Sequence, residues 1–253
     1  MTDWHCHILP GIDDGPATMD ESVEMARMLQ RAGYTAVHCT PHLIRGCYQA
    51  TNAQVLHALQ QLQERLDREG IGIVLLPGRE YCVDEFLLDH LREPLPLGDT
   101  KFLLIEIPSR TPVEFVKETL YRVTCGGYVP MIAHPERCRL LDLPASAGDG
   151  LQKLFDVRRS MFDVFKNALN RSPRMSNPEP RTSNGLLAYL QEIGCKFQGN
   201  LGSFAGRYGE RVRQAAERLR EAGVYTHFGS DAHGAEHVIG SGANEKKGVL
   251  DAH

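Results

Sequence analysis

The segment Asp3-Trp4-His5-Cys6-His7 places two imidazoles two residues apart, and Asp13-Asp14-Gly15 follows closely. On an extended chain, residues i and i+2 point to one face, so His5 and His7 can reach one metal ion together. Imidazole is a ligand for zinc, iron, cobalt and manganese. A single His-x-His is equally what two polar residues near a strand end look like, but the signature repeats. Thr40-Pro41-His42 follows one apolar run and Pro77-Gly78-Arg79-Glu80 another. Glu106 ends a third, His134 follows a fourth, and Asp231 and His233 follow a fifth. The candidate ligands are therefore His5, His7, Asp14, His42, Glu80, Glu106, His134, Asp231 and His233. A mononuclear site uses three or four protein ligands, so this set points to two or three ions sharing a bridging carboxylate. Such a cluster suits hydrolysis, because one ion lowers the pKa of a water while others hold the attacking and leaving oxygens.

The elements that must position these residues alternate along the chain. Strands are expected at Asp3–Leu9, Tyr34–Cys39, Ile71–Leu76, Phe102–Ile107, Tyr128–Ala133, Lys196–Asn200 and Tyr225–Gly229. Helices are expected at Met19–Arg31, with Asp20 as N-cap, at Asn52–Glu69, Val83–Leu91, Pro112–Cys125 and Arg207–Glu221. Strands separated by helices imply βα units and a largely parallel sheet, and this many units favour a barrel-like closed or bent sheet over a small open one. Parallel strands put their C-terminal ends on one rim, where barrel sites are built. Two segments break the rhythm. Residues 144–183 combine a basic, amphipathic helical stretch with a Pro-rich one, which reads either as a solvated excursion or as a binding element for an acidic partner. Residues 234–253 read as an irregular tail.

Composition narrows the class. The chain has 253 residues and a formal net charge of −4, so nucleic acid is not expected as the main partner. No signal peptide or membrane-spanning run is present, which gives a cytoplasmic expectation. The seven cysteines show no CxxC spacing and fit a reducing compartment. Cys6, between two candidate ligands, should face away from them, and no CxxxxxR loop of a cysteine phosphatase occurs. Cys47 and Cys125 read as buried or half-buried small residues, His38 as a packed histidine and Asn200 as part of a rim turn.

With these motifs in order, DWHCHILPGIDDGP, CTPHL, LLPGRE, AHPER, GNLGSFAGRYG and GSDAH, the chain resembles the polymerase-and-histidinol-phosphatase (PHP) superfamily. More narrowly, it resembles the bacterial manganese-dependent protein-tyrosine phosphatases of capsule and exopolysaccharide gene clusters. The resemblance implies an α/β fold, a distorted (β/α)7 TIM-like barrel forming a single domain over 1–253, with 144–183 as an insertion. It implies three divalent ions, manganese first, with iron, cobalt, zinc or magnesium as alternatives. The family pattern gives His5, His7, Glu80 and Asp231 to one ion. Glu80 bridges to a second held by Glu106 and His134, and the third falls to Asp14, His42 and His233. Arg137 matches the phosphate-binding arginine, a role its planar fork suits.

The implied reaction is hydrolysis of phosphotyrosine on protein by a metal-activated hydroxide. The implied substrate is the tail of a membrane-linked autokinase, and homo-oligomerisation is left open. A small phosphate such as histidinol phosphate, or a catalytically silent metal-binding module, are the alternatives. Three departures from the family pattern stand out: a longer insertion at 144–183, no arginine after Ser230-Asp231-Ala232-His233, and no apolar helix in 234–253.

Overall fold

The computed structural model describes residues 1–143 and 185–238. The expected insertion at 144–183 and most of the expected tail at 234–253 lie outside these residues. The elements run β1 (Thr2–Cys6), α1 (Met19–Arg31), β2 (Ala36–Cys39), β3 (His42–Leu43), α2 (Asn52–Arg68), β4 (Val74–Leu76), β5 (Glu80–Cys82) and α3 (Leu87–His90). They continue with β6 (Phe102–Glu106), α4 (Val113–Cys125), β7 (Val129–Ala133), α5 (Leu186–Glu192), β8 (Lys196–Asn200), α6 (Leu201–Phe204), α7 (Glu210–Glu221) and β9 (His227–Gly229).

Every strand pairing is parallel, in the orders β1-β2-β4 and β3-β5-β6-β7-β8-β9. β2 and β3 are two halves of one stave broken at Thr40-Pro41, and β4 and β5 are two halves of another broken at Pro77-Gly78-Arg79. The ring closes where β9 runs out beside β1. Asp231 N–H donates to His5 O at 2.7 Å, and His7 N–H donates to Ala232 O at 3.0 Å, with a parallel bridge from Cys6 to Ala232. Counted this way, the described residues form a seven-stave parallel barrel, as the resemblance implies.

Alternation along the staves separates three apolar regions. Leu103 and Ile105 point outward to α4 and α5, with Val116, Leu120 and Leu190. Leu104 points inward with Met131, Ala133, Leu97 and Trp4. On the other flank, Val23, Met25, Ala26 and Leu29 of α1 and Val55, Leu62 and Leu66 of α2 cover β1, β2 and β4. Burying these helix faces is the main favourable term holding the outer ring to the barrel.

Several local expectations change. The N-cap of α1 is Thr18, not Asp20. Thr18 accepts from the Glu21 N–H while Glu21 accepts from the Thr18 N–H, a reciprocal box, and Asp20 is left in the first turn where its charge suits the helix N-terminus. Of Val83–Leu91 only Leu87–His90 is helical, and Glu80–Cys82 pairs as a strand with both β3 and β6. Helix α7 starts at Glu210, because the chain first makes the turn of α6 at Leu201–Phe204. Cys47 and Cys125 are exposed, correcting the expectation of burial. Among the described residues no helix is long and apolar enough to cross a membrane.

Candidate metal centre

The candidate ligands gather toward the C-terminal rim because each lies near or beyond the end of a stave or, for His42 and Glu80, directly after a stave's break, but three local devices aim them. In β1 the pairing with β2 slips between Asp3 and Cys6, where three steps of β1 match two of β2. This extra residue lets both Trp4 and His5 face the barrel interior, and His7 keeps the phase of His5. In β7, Met131 and Ala133 face inward and Ile132 outward. Strict alternation would turn His134 outward, yet its φ of 31° swings it back to the rim. Asp231, with φ of 48°, is the other non-glycine residue with positive φ among the described residues. Strain of this kind collects at functional sites.

The aimed side chains form one continuous cluster. His5 Nε2 and His7 Nε2 lie 3.1 Å apart. Each is within 3.4 Å of Glu80 Oε2 and of Asp231 Oδ1. The other oxygen of Glu80 is 3.0 Å from His134 Nε2, so this carboxylate faces two groups at once. Asp14 Oδ1 is 3.7 Å from His42 Nε2 and 3.5 Å from His233 Nε2. Metal-capable sets drawn from these atoms are His5, His7 and Glu80; His5, His134 and Asp231; and His7, Asp14, His42 and His233. His42 also sets Nδ1 2.9 Å from Glu80 Oε2, tying the third group to the first. Glu106 alone among the candidates stays outside these sets. It is half-buried at the end of β6, and its charge acts on Arg137.

Several residues that hold the cluster were not candidates from sequence. Gln198 Oε1 lies 2.9 Å from His5 Nδ1, and Asp13 Oδ2 lies 2.7 Å from His7 Nδ1. Asn200 donates to Asp231 Oδ2 at 2.8 Å while its own side-chain oxygen caps α6 by accepting from Gly202 at 2.7 Å, so it also makes the expected rim turn. Glu136, fully buried, accepts from Asn200 N–H and from Tyr225 O–H. The available signal was the same strand-end rule: Gln198 and Asn200 sit two residues apart at the end of an apolar run, and Asp13 adjoins Asp14. Arg137 donates to Asp231 Oδ2 at 2.7 Å and lies 4.7 Å over the Tyr208 ring, with its side chain 34% exposed.

The donor set fits divalent cations. Gln198 has a fixed orientation, since its amide nitrogen donates to Gly199 O at 2.7 Å while its oxygen also accepts from His134 N–H. Its oxygen therefore requires a proton on His5 Nδ1, and Asp13 requires one on His7 Nδ1. Both Nε2 lone pairs then converge beside two carboxylate oxygens. Glu80 Oε2 is buried and receives no hydrogen bond of proper geometry, although three histidine nitrogens lie within 3.4 Å. Such a point favours positive charge, from a bound cation or from a proton on one of these histidines.

Electrostatics agree. Burial opposes charge on Glu80, but His5, His134 and His42 outweigh it and hold its pKa well below the usual range. Burial likewise opposes charge on His5 and His7. Glu80 and Asp231 raise the first, and Asp13, Asp231 and Glu80 raise the second. Protons and metal ions thus compete for one negatively charged pocket. The Cys6 thiol is buried, and burial together with Asp3 pushes its pKa well up, which argues against a nucleophilic role.

Comparison with known proteins places this geometry in context. The sequence profile of the capsular polysaccharide synthesis family CpsB/CapC matches residues 1–153. The tyrosine-protein phosphatase YwqE of Bacillus subtilis is 34% identical over 235 residues, covering 92% of this chain and 77% of that protein. The tyrosine-protein phosphatase CpsB of Streptococcus agalactiae is 28% identical over 144 residues, covering 56% of this chain and 59% of that one. The fold superposes with a TM-score of 0.72 and 31% identity on a crystal structure from work on YwqE from Bacillus subtilis and CpsB from Streptococcus pneumoniae, metal-dependent tyrosine phosphatases. The match covers 100% of this chain and 89% of that one.

Proposed function

Because the chain belongs to the CpsB/CapC family of capsular polysaccharide synthesis, we propose that it is a metal-dependent phosphatase of phosphotyrosine on protein. The observation that carries this reading is the convergence of His5 Nε2, His7 Nε2, Glu80 Oε2 and Asp231 Oδ1 on one point, with His134 and the Asp14–His42–His233 group beside it. Three divalent ions, manganese first, would be held by these residues, with Glu106 completing the group around His134 as the family pattern has it. When bound, the ions supply positive charge for the phosphoryl oxygens and lower the pKa of a coordinated water.

The chain's own residues do the rest. Gln198 and Asp13 fix the tautomers of neutral His5 and His7, so that the ring nitrogens facing the centre are the ones that would bind an ion. Asn200 steadies Asp231. Arg137 is anchored by one arm on Asp231 and by its face on Tyr208, which leaves donors toward the open rim for a phosphate. A tyrosine phenolate has a conjugate acid of pKa about 10 and leaves without a strong general acid. The substrate we put forward is the tyrosine-phosphorylated tail of a membrane-linked autokinase, in the cytoplasm. Seven free thiols support a reducing compartment.

The deciding experiment compares turnover of a phosphotyrosine peptide with that of histidinol phosphate, with added manganese and with chelator. Manganese-dependent cleavage that strongly favours the peptide is expected. Preference for histidinol phosphate would assign a small-molecule phosphatase, and metal binding without hydrolysis of either would assign a silent module.

A further inference from the structure

Arg79 is among the largest fully buried side chains of the described residues, at 1% exposure, and nothing in the proposed chemistry uses it. It directly precedes Glu80, but its fork turns away from the ligands toward the segment that carries His42. Nε donates to Asn52 Oδ1 at 3.1 Å, Nη1 to His42 O at 3.3 Å, and Nη2 to Ala50 O. All three acceptors are neutral oxygens. A buried guanidinium held this way is costly to the fold, since burial works against its charge and no carboxylate contact offsets it.

The compensating anion stands on the other side of the same residue, at the peptide that precedes His42. Asp13, whose side chain is fully buried, accepts the His42 N–H on Oδ2 at 3.0 Å. Its charge is one of those that favour the Arg79 cation. His42 is therefore gripped at its N–H by an anion and at its carbonyl by a cation. The same Asp13 oxygen holds His7 Nδ1 at 2.7 Å. Both His7 and His42 belong to the group with Asp14 and His233. Arg79 also fixes the return of the 44–51 loop, through Ala50 and Asn52, and that loop brings the Tyr48 ring to 5.5 Å from His42.

We propose that Arg79 and Asp13 form a buried charge clamp on the His42 backbone that sets the ion-binding group of His7, Asp14, His42 and His233. Arg79 is then a positioning residue for a divalent cation and not a residue of the general fold. This inference rests on the metal-centre reading above. Supports behind metal ligands are commonly worth about 10–100-fold in metal affinity, and that is the size of effect expected here.

The test uses the full chain, freed of metal and titrated with Mn²⁺ by calorimetry, with bound ions counted by elemental analysis after dialysis. In Arg79→Met one ion is expected to be lost or weakened about 10–100-fold, with the remaining ions bound as in the parent and the far-ultraviolet circular dichroism unchanged. Arg79→Lys should restore part of that affinity, because it keeps the charge but lacks the fork. Parent-like affinity for every ion in Arg79→Met, or a uniform loss of all of them in a folded protein, would overturn the clamp. If Arg79→Met does not fold, Asn52→Ala removes one acceptor of the fork, together with the Asn52 amide's bond to Glu93 O. A smaller loss confined to one ion is then expected, and no loss would count against the proposal. A parent protein that binds no Mn²⁺ at all would instead overturn the metal-centre reading.

Discussion

Glu80 is the residue on which the groups depend together. One of its oxygens meets His134 at 3.0 Å, and the other meets His42 at 2.9 Å and His5 at 3.3 Å. Asp14, by contrast, is 45% exposed at its side chain and serves one group. Glu80→Ala is therefore expected to abolish aryl phosphatase activity and to lower bound metal by more than one ion, whereas Asp14→Ala should lose a single ion and keep residual turnover. Elemental analysis beside p-nitrophenyl phosphate rates checks this, and full metal content in the Glu80 variant would defeat the bridging role. Arg137 is expected to behave differently. Asp231 remains held by Asn200 when Arg137 is removed, so Arg137→Ala should keep its metal and lose roughly 10–100-fold in kcat/KM, the order of losing a charge-assisted contact of about 1.5–3 kcal/mol. Lysine should rescue little, as a point charge cannot also lie flat on Tyr208. Unchanged kcat/KM in the alanine variant would place the phosphate clamp elsewhere.

Connecting loops matter here as much as the strands do. The loop after β1 must bring Asp13 and Asp14 back over His7, and it can do so only because residue 15 has no side chain. A Cβ at Gly15 would stand 2.2 Å from the His7 carbonyl oxygen. Gly15→Ala is therefore expected to push the loop outward and detach both aspartates. The measurement is Mn²⁺ titration, where loss at the Asp14–His42–His233 group should exceed any loss at the other groups. Equal affinities throughout would show that the loop has slack. The bulge in β1 and the left-handed turn at His134 are devices of the same kind, re-aiming a side chain that regular alternation would misplace. Apolar runs in the sequence located the strands but carried no mark of these irregularities, since each depends on what a neighbouring strand presents.

Across the molecule, the rim opposite the metal centre is closed by an aromatic plug. Trp4 stacks on His38 at 4.6 Å and meets His227 at 4.3 Å, with Phe102 beside them. Burial, opposed by the Pro77 carbonyl and reinforced by His227, lowers the His38 pKa to about 4. The folded protein thus keeps His38 neutral where the unfolded chain, with a pKa of about 6.5, takes up a proton. Its contribution to stability is complete above about pH 6.5 and is lost as pH falls toward 4. Between pH 7 and pH 5 the parent should lose about 2 kcal/mol more stability than His38→Phe, read from urea unfolding. Equal pH slopes for the two proteins would remove His38 as the cause.

Much of this protein was legible in its residue order. The βα rhythm, the seven-stave count and the nearness of His5, His7, Asp14, His42, Glu80, His134, Asp231 and His233 follow from local facts. Strands alternate, parallel strands end on one rim, and each apolar run hands over to a polar residue near its C-terminal end. What the tertiary structure decided are the relations between residues distant in the chain. Gln198 fixes the tautomer of His5 across 193 positions, and Arg137 pairs with Asp231 across 94. Arg79 and Asp13 grip the two peptides that flank the His42 Cα, while Glu106, in phase with the other candidates, stays apart from their sets. These distances are set by how the barrel closes and where its staves break or bulge. Closure sums the packing of every helix and strand around the ring, and no window of sequence contains that sum.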